Sequence, residues 1–189
     1  MIDMDGLIAR FGPAIADFSS TIMHGLPHIL DGMRFKSVVE IGTMNGLSAA
    51  ELAMHCDHVT TIDVIDRPVV DEVFAFLGLT GKIDRVVVKD EAEKAKIIDG
   101  LTFDMAFLDG QHGRAGLLWD FALTRRCGCL LFHDYPKVVN PGDPEVYGWR
   151  QYPPELLVGD GAGFLLDGIV PAGVIERHPP FAWWRVINA

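Results

Sequence analysis

The stretch from Ser37 to Ala53, SVVEIGTMNGLSAAELA, constrains this chain more than any other. Val38, Val39 and Ile41 are β-branched and read as a strand buried on both faces, while Leu47, Ala50 and Met54 recur at the spacing of one helix face. Gly42 and Gly46 bracket the turn between the two. Glycine accepts a positive φ and carries no Cβ, so a ligand can lie against bare backbone beside the helix N-terminus. The pattern is E-x-G-x-x-x-G, with no glycine at position 44, which sets it apart from the GxGxxG dinucleotide fingerprint and disfavours an NAD-dependent oxidoreductase. It also lacks the GK[ST] of a phosphate loop.

Strands and helices alternate after that loop. HVTTIDVID reads as a second strand ending at Asp63, 23 residues beyond Glu40. In doubly wound folds an acidic residue at that offset accepts hydrogen bonds from ribose hydroxyls. Pro68 and Gly78 frame a helix expected to turn Val69, Val73 and Phe76 or Leu77 inward. A third strand is expected at Arg85 to Val88, and the acidic run Asp90, Glu91, Glu93 could open the next helix. Residues 103 to 110, FDMAFLDG, form a fourth strand leading into Asp109 and His112. A helix from Arg114 to Arg126 should bury Leu117, Leu118, Phe121 and Ala122, and CLLFHDY is a fifth strand ending in His133 and Asp134. This rhythm predicts an α/β fold with a parallel sheet. The carboxyl ends of such strands form one rim, so Glu40, Gly42, Asp63, Asp109, His112, His133 and Asp134 are expected together there.

The flanks differ in texture. Residues 1–36 are helix-like, with Leu7, Ile8, Phe11 and Ile15, then Ile22, Leu26, Ile29 and Leu30, at helical spacing. His24 and His28 lie four apart, but Pro27 between them disturbs a shared face. Residues 135–163 hold five prolines and five glycines and read as a long lid loop leaving strand five. Residues 164–189 close the chain, with strands at Val174 to Arg177 and Phe181 to Ile187. With 189 residues and 49% hydrophobic composition, one domain with a sizeable core is expected, its cofactor-binding core at 37–134. A formal charge of −10 argues against a nucleic-acid partner. Cys56, Cys127 and Cys129 read as reduced thiols, and neither a signal-peptide pattern nor an apolar run of 18 residues is present, so a cytoplasmic protein with no membrane partner is expected. Paired apolar helices near the N-terminus and the Trp183-Trp184 dipeptide suit a homodimer.

The acidic residue, the two glycines and the strand-end pattern L-D-G-x-H followed by H-D resemble those of class I S-adenosylmethionine-dependent methyltransferases. The fuller resemblance, over residues 37 to 187, is to the methyltransferase family 24-like group, related to macrocin-type sugar O-methyltransferases and cephalosporin hydroxylase-like proteins. It implies a doubly wound, mostly parallel seven-stranded sheet of Rossmann-like type, with N-terminal helices and an antiparallel C-terminal hairpin. It also implies S-adenosyl-L-methionine as cofactor, held by Glu40, Gly42, Thr43, Asn45, Gly46, Ser48 and Asp63, with Asp109 beside it and Asp90 on the adenine side.

In that group acidic residues ending strands four and five hold a divalent cation that binds the acceptor oxygen. The matching positions are Asp109 and Asp134, with His133 where relatives often have another acid. Magnesium favours oxygen ligands, whereas an imidazole shifts preference toward manganese, iron or zinc, so His133 could be a ligand or a neighbour of one. His112 and Asp109 are the catalytic candidates: an imidazole titrating near neutrality suits removal of an acceptor proton, although His112 could equally cap the next helix. The resulting expectation is O-methylation of a small metabolite with Mg or Mn assistance. A methyltransferase-like binding module without catalysis and a metal-dependent hydroxylase-like protein are the alternatives.

Overall fold

The computed structural model of the chain describes residues 2–18, 20–23, 25–110, 114–133, 174–178 and 181–185. They fall into two compact units, Met1–Phe107 and Leu108–Ala189.

The first unit is built on β1 (Phe35–Ile41), β2 (Cys56–Asp63), β3 (Ile83–Val87) and the start of β4 (Met105–Leu108), in the order β3-β2-β1-β4. β1 pairs parallel with β2, and β2 parallel with β3. Val38, Val39, Ile41, Val59 and Ile62 are fully or almost fully buried. Burial of each such side chain stabilises the fold by roughly 1.5–3 kcal/mol, which is why continuous β-branched runs become central strands. The Asp104 carboxylate, just before β4, accepts from the backbone N–H groups of Lys36 and Ser37 at 2.9 and 3.0 Å. That contact fixes where β4 begins relative to β1.

Helices connect the strands. α4 (Leu47–Met54) is buried from Leu47 through Ala53, including Glu51, so the one-sided face expected for it is in fact a helix enclosed on nearly every side. Glu51 is occupied: Oε2 accepts from Ile2 N–H at 3.0 Å and Oε1 lies 3.3 Å from His55 Nε2, tying the start of the chain to α4. α5 (Val69–Phe76) turns Val70, Val73 and Phe74 inward and leaves Phe76 exposed, a stripe displaced from the expected one. Phe76 instead meets Phe11 edge-on at 5.8 Å. Phe11 ends α1 (Met4–Phe11), and the rest of the helix-like N-terminal stretch breaks into a 3-10 turn and the short helices α2 (Ser20–Met23) and α3 (Leu26–Ile29). Pro27 sits in the first turn of α3, where its missing N–H costs nothing. His24 lies outside the described residues, and His28 is exposed. α6 (Glu91–Gly100) precedes β4.

In the second unit α7 (Arg114–Thr124) leads through a 3-10 turn to β5 (Cys129–Phe132), which pairs antiparallel with β7 (Phe181–Arg185), itself antiparallel to β6 (Val174–His178). Leu117, Asp120, Phe121 and Thr124 form the buried stripe of α7; Leu118 is half-buried and Ala122 exposed, contrary to the expected face. The lid loop 135–163 lies outside the described residues.

Candidate functional site

In the first unit the turn after β1 has left-handed backbone at Gly42 (φ 101°), Met44 (φ 49°) and Gly46 (φ 80°). Gly42 N–H donates to Ile62 O at 2.9 Å and Gly46 N–H to Thr43 O at 2.7 Å, closing a tight turn against β2. Gly46 is required for packing as well as for its φ. A Cβ there would sit 2.7 Å from the Phe74 ring and 3.0 Å from Val70. The second glycine of the motif is therefore explained by the approach of α5.

The parallel register sets Glu40 opposite Thr61. Thr61 Oγ1 donates to Glu40 Oε2, and Thr43 Oγ1 lies 2.6 Å from Thr61 Oγ1. A hydroxyl has one proton to give, so Thr43 is the donor to Thr61. All three side chains are buried, and Glu40 therefore acts from beneath the loop. Asn45 and Ser48 are buried beside it.

Asp63, at the tip of β2, faces the same loop. Its Oδ2 accepts from the N–H groups of Thr43 (3.1 Å) and Met44 (2.9 Å), and Oδ1 from Ile65 N–H (3.0 Å). Arg67 Nη1 stands 4.0 Å from Oδ2. Around this carboxylate Met44, Val64 and Ile65 are exposed at 38%, 54% and 51%. An apolar surface beside a carboxylate suits a ligand with a flat apolar part and hydroxyls. Thr61, Val64, Ile65 and Arg67 do not stand out in the sequence; only the strand register, which pairs Glu40 with Thr61, could have pointed to the first.

Asp90 is the N-cap of α6: Oδ1 accepts from Glu93 N–H at 2.8 Å, while Glu93 Oε2 accepts from Lys89 N–H at 2.9 Å. One of its oxygens is thus committed to the helix start, the use that the acidic run 90–93 left open.

In the second unit Asp109 follows β4 and His133 follows β5. His133 N–H donates to Leu108 O at 3.2 Å, and His133 Nδ1 lies 2.9 Å from Asp109 Oδ1. A carboxylate oxygen can only accept, so Nδ1 is the donor in this contact. The imidazole is buried and tilts at 46° to the Phe181 ring, 5.0 Å away. Among the described residues no group of three or more His, Cys, Asp or Glu side chains could hold a metal ion. Asp134 and His112 lie outside the described residues. No helix among the described residues is long and apolar enough to cross a membrane.

No protein-family model matches the chain, and no curated protein matches it. Solved structures do. A candidate caffeoyl-CoA O-methyltransferase from Staphylococcus aureus superposes with a TM-score of 0.66 at 14% identity, covering 99% of this chain and 93% of that one. An O-methyltransferase from Bacillus cereus in complex with SAH gives 0.64 at 14% identity, covering 98% and 93%. A cofactor-bound protein from MTB gives 0.64 at 18%, covering 97% and 90%. At such identities the likeness is one of fold: this chain has the Rossmann-like α/β fold of the class I S-adenosylmethionine-dependent methyltransferases.

Proposed function

We propose that this protein is an S-adenosylmethionine-dependent methyltransferase of the family 24-like group that O-methylates a small metabolite. The observation that carries the reading is the union of the left-handed 42–46 turn with the Asp63 carboxylate, on a fold shared with an SAH-bound O-methyltransferase. The residues present fit the cofactor: a turn with glycine at both ends and the Thr43 and Asn45 side chains buried, a carboxylate with acceptor capacity remaining, and exposed apolar groups at Val64 and Ile65 for the purine face. When bound, S-adenosylmethionine supplies an electrophilic methyl group. Glu40, Thr61 and Thr43 hold the turn from below; Gly42, Asn45, Gly46 and Ser48 shape it; Asp63 takes ribose.

Asp109 and His112 are assigned to the acceptor: His112 removes the proton of the acceptor hydroxyl. Asp109 and Asp134 would hold a divalent cation, Mg or Mn, which would lower the pKa of the acceptor hydroxyl, while His133 steadies the Asp109 carboxylate through Oδ1 in the manner of an outer-shell partner. The protein's acidity, −10 overall, supports a small-molecule acceptor over nucleic acid. The three cysteines are taken as reduced thiols of a cytoplasmic protein, and the apolar N-terminal helices with Trp183-Trp184 as the surface of a homodimer. The test is transfer of labelled methyl from S-adenosylmethionine to a panel of phenols, catechols and sugar alcohols, with and without Mg or Mn. Transfer to at least one hydroxyl, lost in His112→Ala, is expected. Transfer only to nitrogen or sulfur acceptors would overturn the assignment.

A further inference from the structure

Asp63 has less to offer a ribose than its place at the tip of β2 suggests. A carboxylate has about four lone-pair sites, two per oxygen. Oδ2 accepts two backbone N–H groups, from Thr43 and Met44, and is full; Oδ1 accepts Ile65 N–H and keeps one site. Arg67 Nη1, 4.0 Å from Oδ2, adds positive charge on the saturated side. A ribose diol clamped in the usual two-pronged way needs a free site on each oxygen. Only Oδ1 has one.

Met44 depends on the same carboxylate. It is the one non-glycine among the described residues with positive φ, and its N–H is held by Asp63 at 2.9 Å. A side-chain-bearing residue in the left-handed region costs on the order of 1–2 kcal/mol, so the turn needs an external hold to keep that shape. Asp63 supplies it from the neighbouring strand.

We propose that Asp63 is a positioning residue: it clasps the 42–46 turn through the Thr43 and Met44 amides and gives Oδ1 to a single ribose hydroxyl. The clasp stands on the ligand-free geometry alone, whereas the one-hydroxyl rule rests on the cofactor reading above.

Two measurements separate these. Amide hydrogen exchange on ligand-free protein should show Thr43 and Met44 protected in the wild type and at least about tenfold faster in Asp63→Ala, with strand amides of β1 unchanged. Asp63→Asn, whose carbonyl oxygen can still face both amides, should keep most of the protection. Calorimetry with S-adenosylhomocysteine and its 2′-deoxy and 3′-deoxy forms should show one deoxy compound binding about tenfold or more weaker than the other in the wild type. In Asp63→Ala the two should bind alike. Unchanged exchange at Thr43 and Met44 in Asp63→Ala would overturn the clasp, and equal losses for both deoxy compounds in the wild type would overturn the one-hydroxyl rule. Absence of any S-adenosylhomocysteine binding would sink the cofactor reading and the one-hydroxyl rule with it, while the exchange data would still judge the clasp.

Discussion

The hydroxyl of Thr61 donates to the Glu40 carboxylate, and both side chains are fully buried. The strand pairing sets the two side chains side by side, because Glu40 and Thr61 are register partners. Thr61→Val keeps shape while removing the donor to Glu40 and the acceptor for Thr43. It should destabilise the protein by about 1–3 kcal/mol in urea unfolding, since a buried carboxyl oxygen loses its hydrogen-bond donor. A change below about 0.5 kcal/mol would mean that the Thr43–Thr61–Glu40 chain contributes little.

Gly46 and Gly78 both have positive φ, but only Gly46 has a neighbour in the way of a Cβ. Gly78→Ala should cost backbone strain alone, about 1–2 kcal/mol. Gly46→Ala adds the clash with Phe74 and should cost about 2–5 kcal/mol. Equal losses in the two variants would show that α5 does not need the missing Cβ.

Burial pushes the Cys56 thiol up to about 11 from 9.0, with nearby Lys82 pulling the other way. The folded protein therefore holds this proton after the unfolded chain has released its own. Unfolded chains bind fewer protons than folded ones between about pH 9 and 11, so this contribution to stability falls as pH rises through that window. Cys56→Ala should flatten the decline between pH 8.5 and about pH 10.5 in urea titrations by about 1–2 kcal/mol. At pH 8 Cys56 should also react with a thiol reagent far more slowly than a free cysteine.

The Asp109–His133 contact should couple the two residues energetically. Asp109→Ala, His133→Phe and the double variant should give a coupling of about 1–3 kcal/mol in unfolding. Additive effects would reduce the 2.9 Å approach to a chance of packing.

Much of this was legible in the sequence where local pattern and global fold agree. β1, the glycine turn and β2 read directly, because a buried parallel strand is a continuous apolar run and its exit needs left-handed backbone. Helix faces were less legible. α5 is short and rich in apolar residues, so Val69, Val70, Val73, Phe74 and Phe76 offer two overlapping stripes, and only tertiary packing chose Val70, Val73 and Phe74. α7 put Asp120 and Thr124 on its buried side, a choice that hydropathy alone does not favour. The partners of Asp63 were illegible for a different reason. Its contacts are backbone N–H groups some 20 residues away, and amides carry no sequence signature.

The most direct test of the central claim is isothermal titration of the purified protein with S-adenosylmethionine, with NAD as the control ligand and Asp63→Ala as the control protein. Saturable binding of S-adenosylmethionine is expected, weakened in Asp63→Ala by about tenfold or more, with no binding of NAD. Failure of the wild type to bind S-adenosylmethionine, or tighter binding of NAD, would contradict that claim.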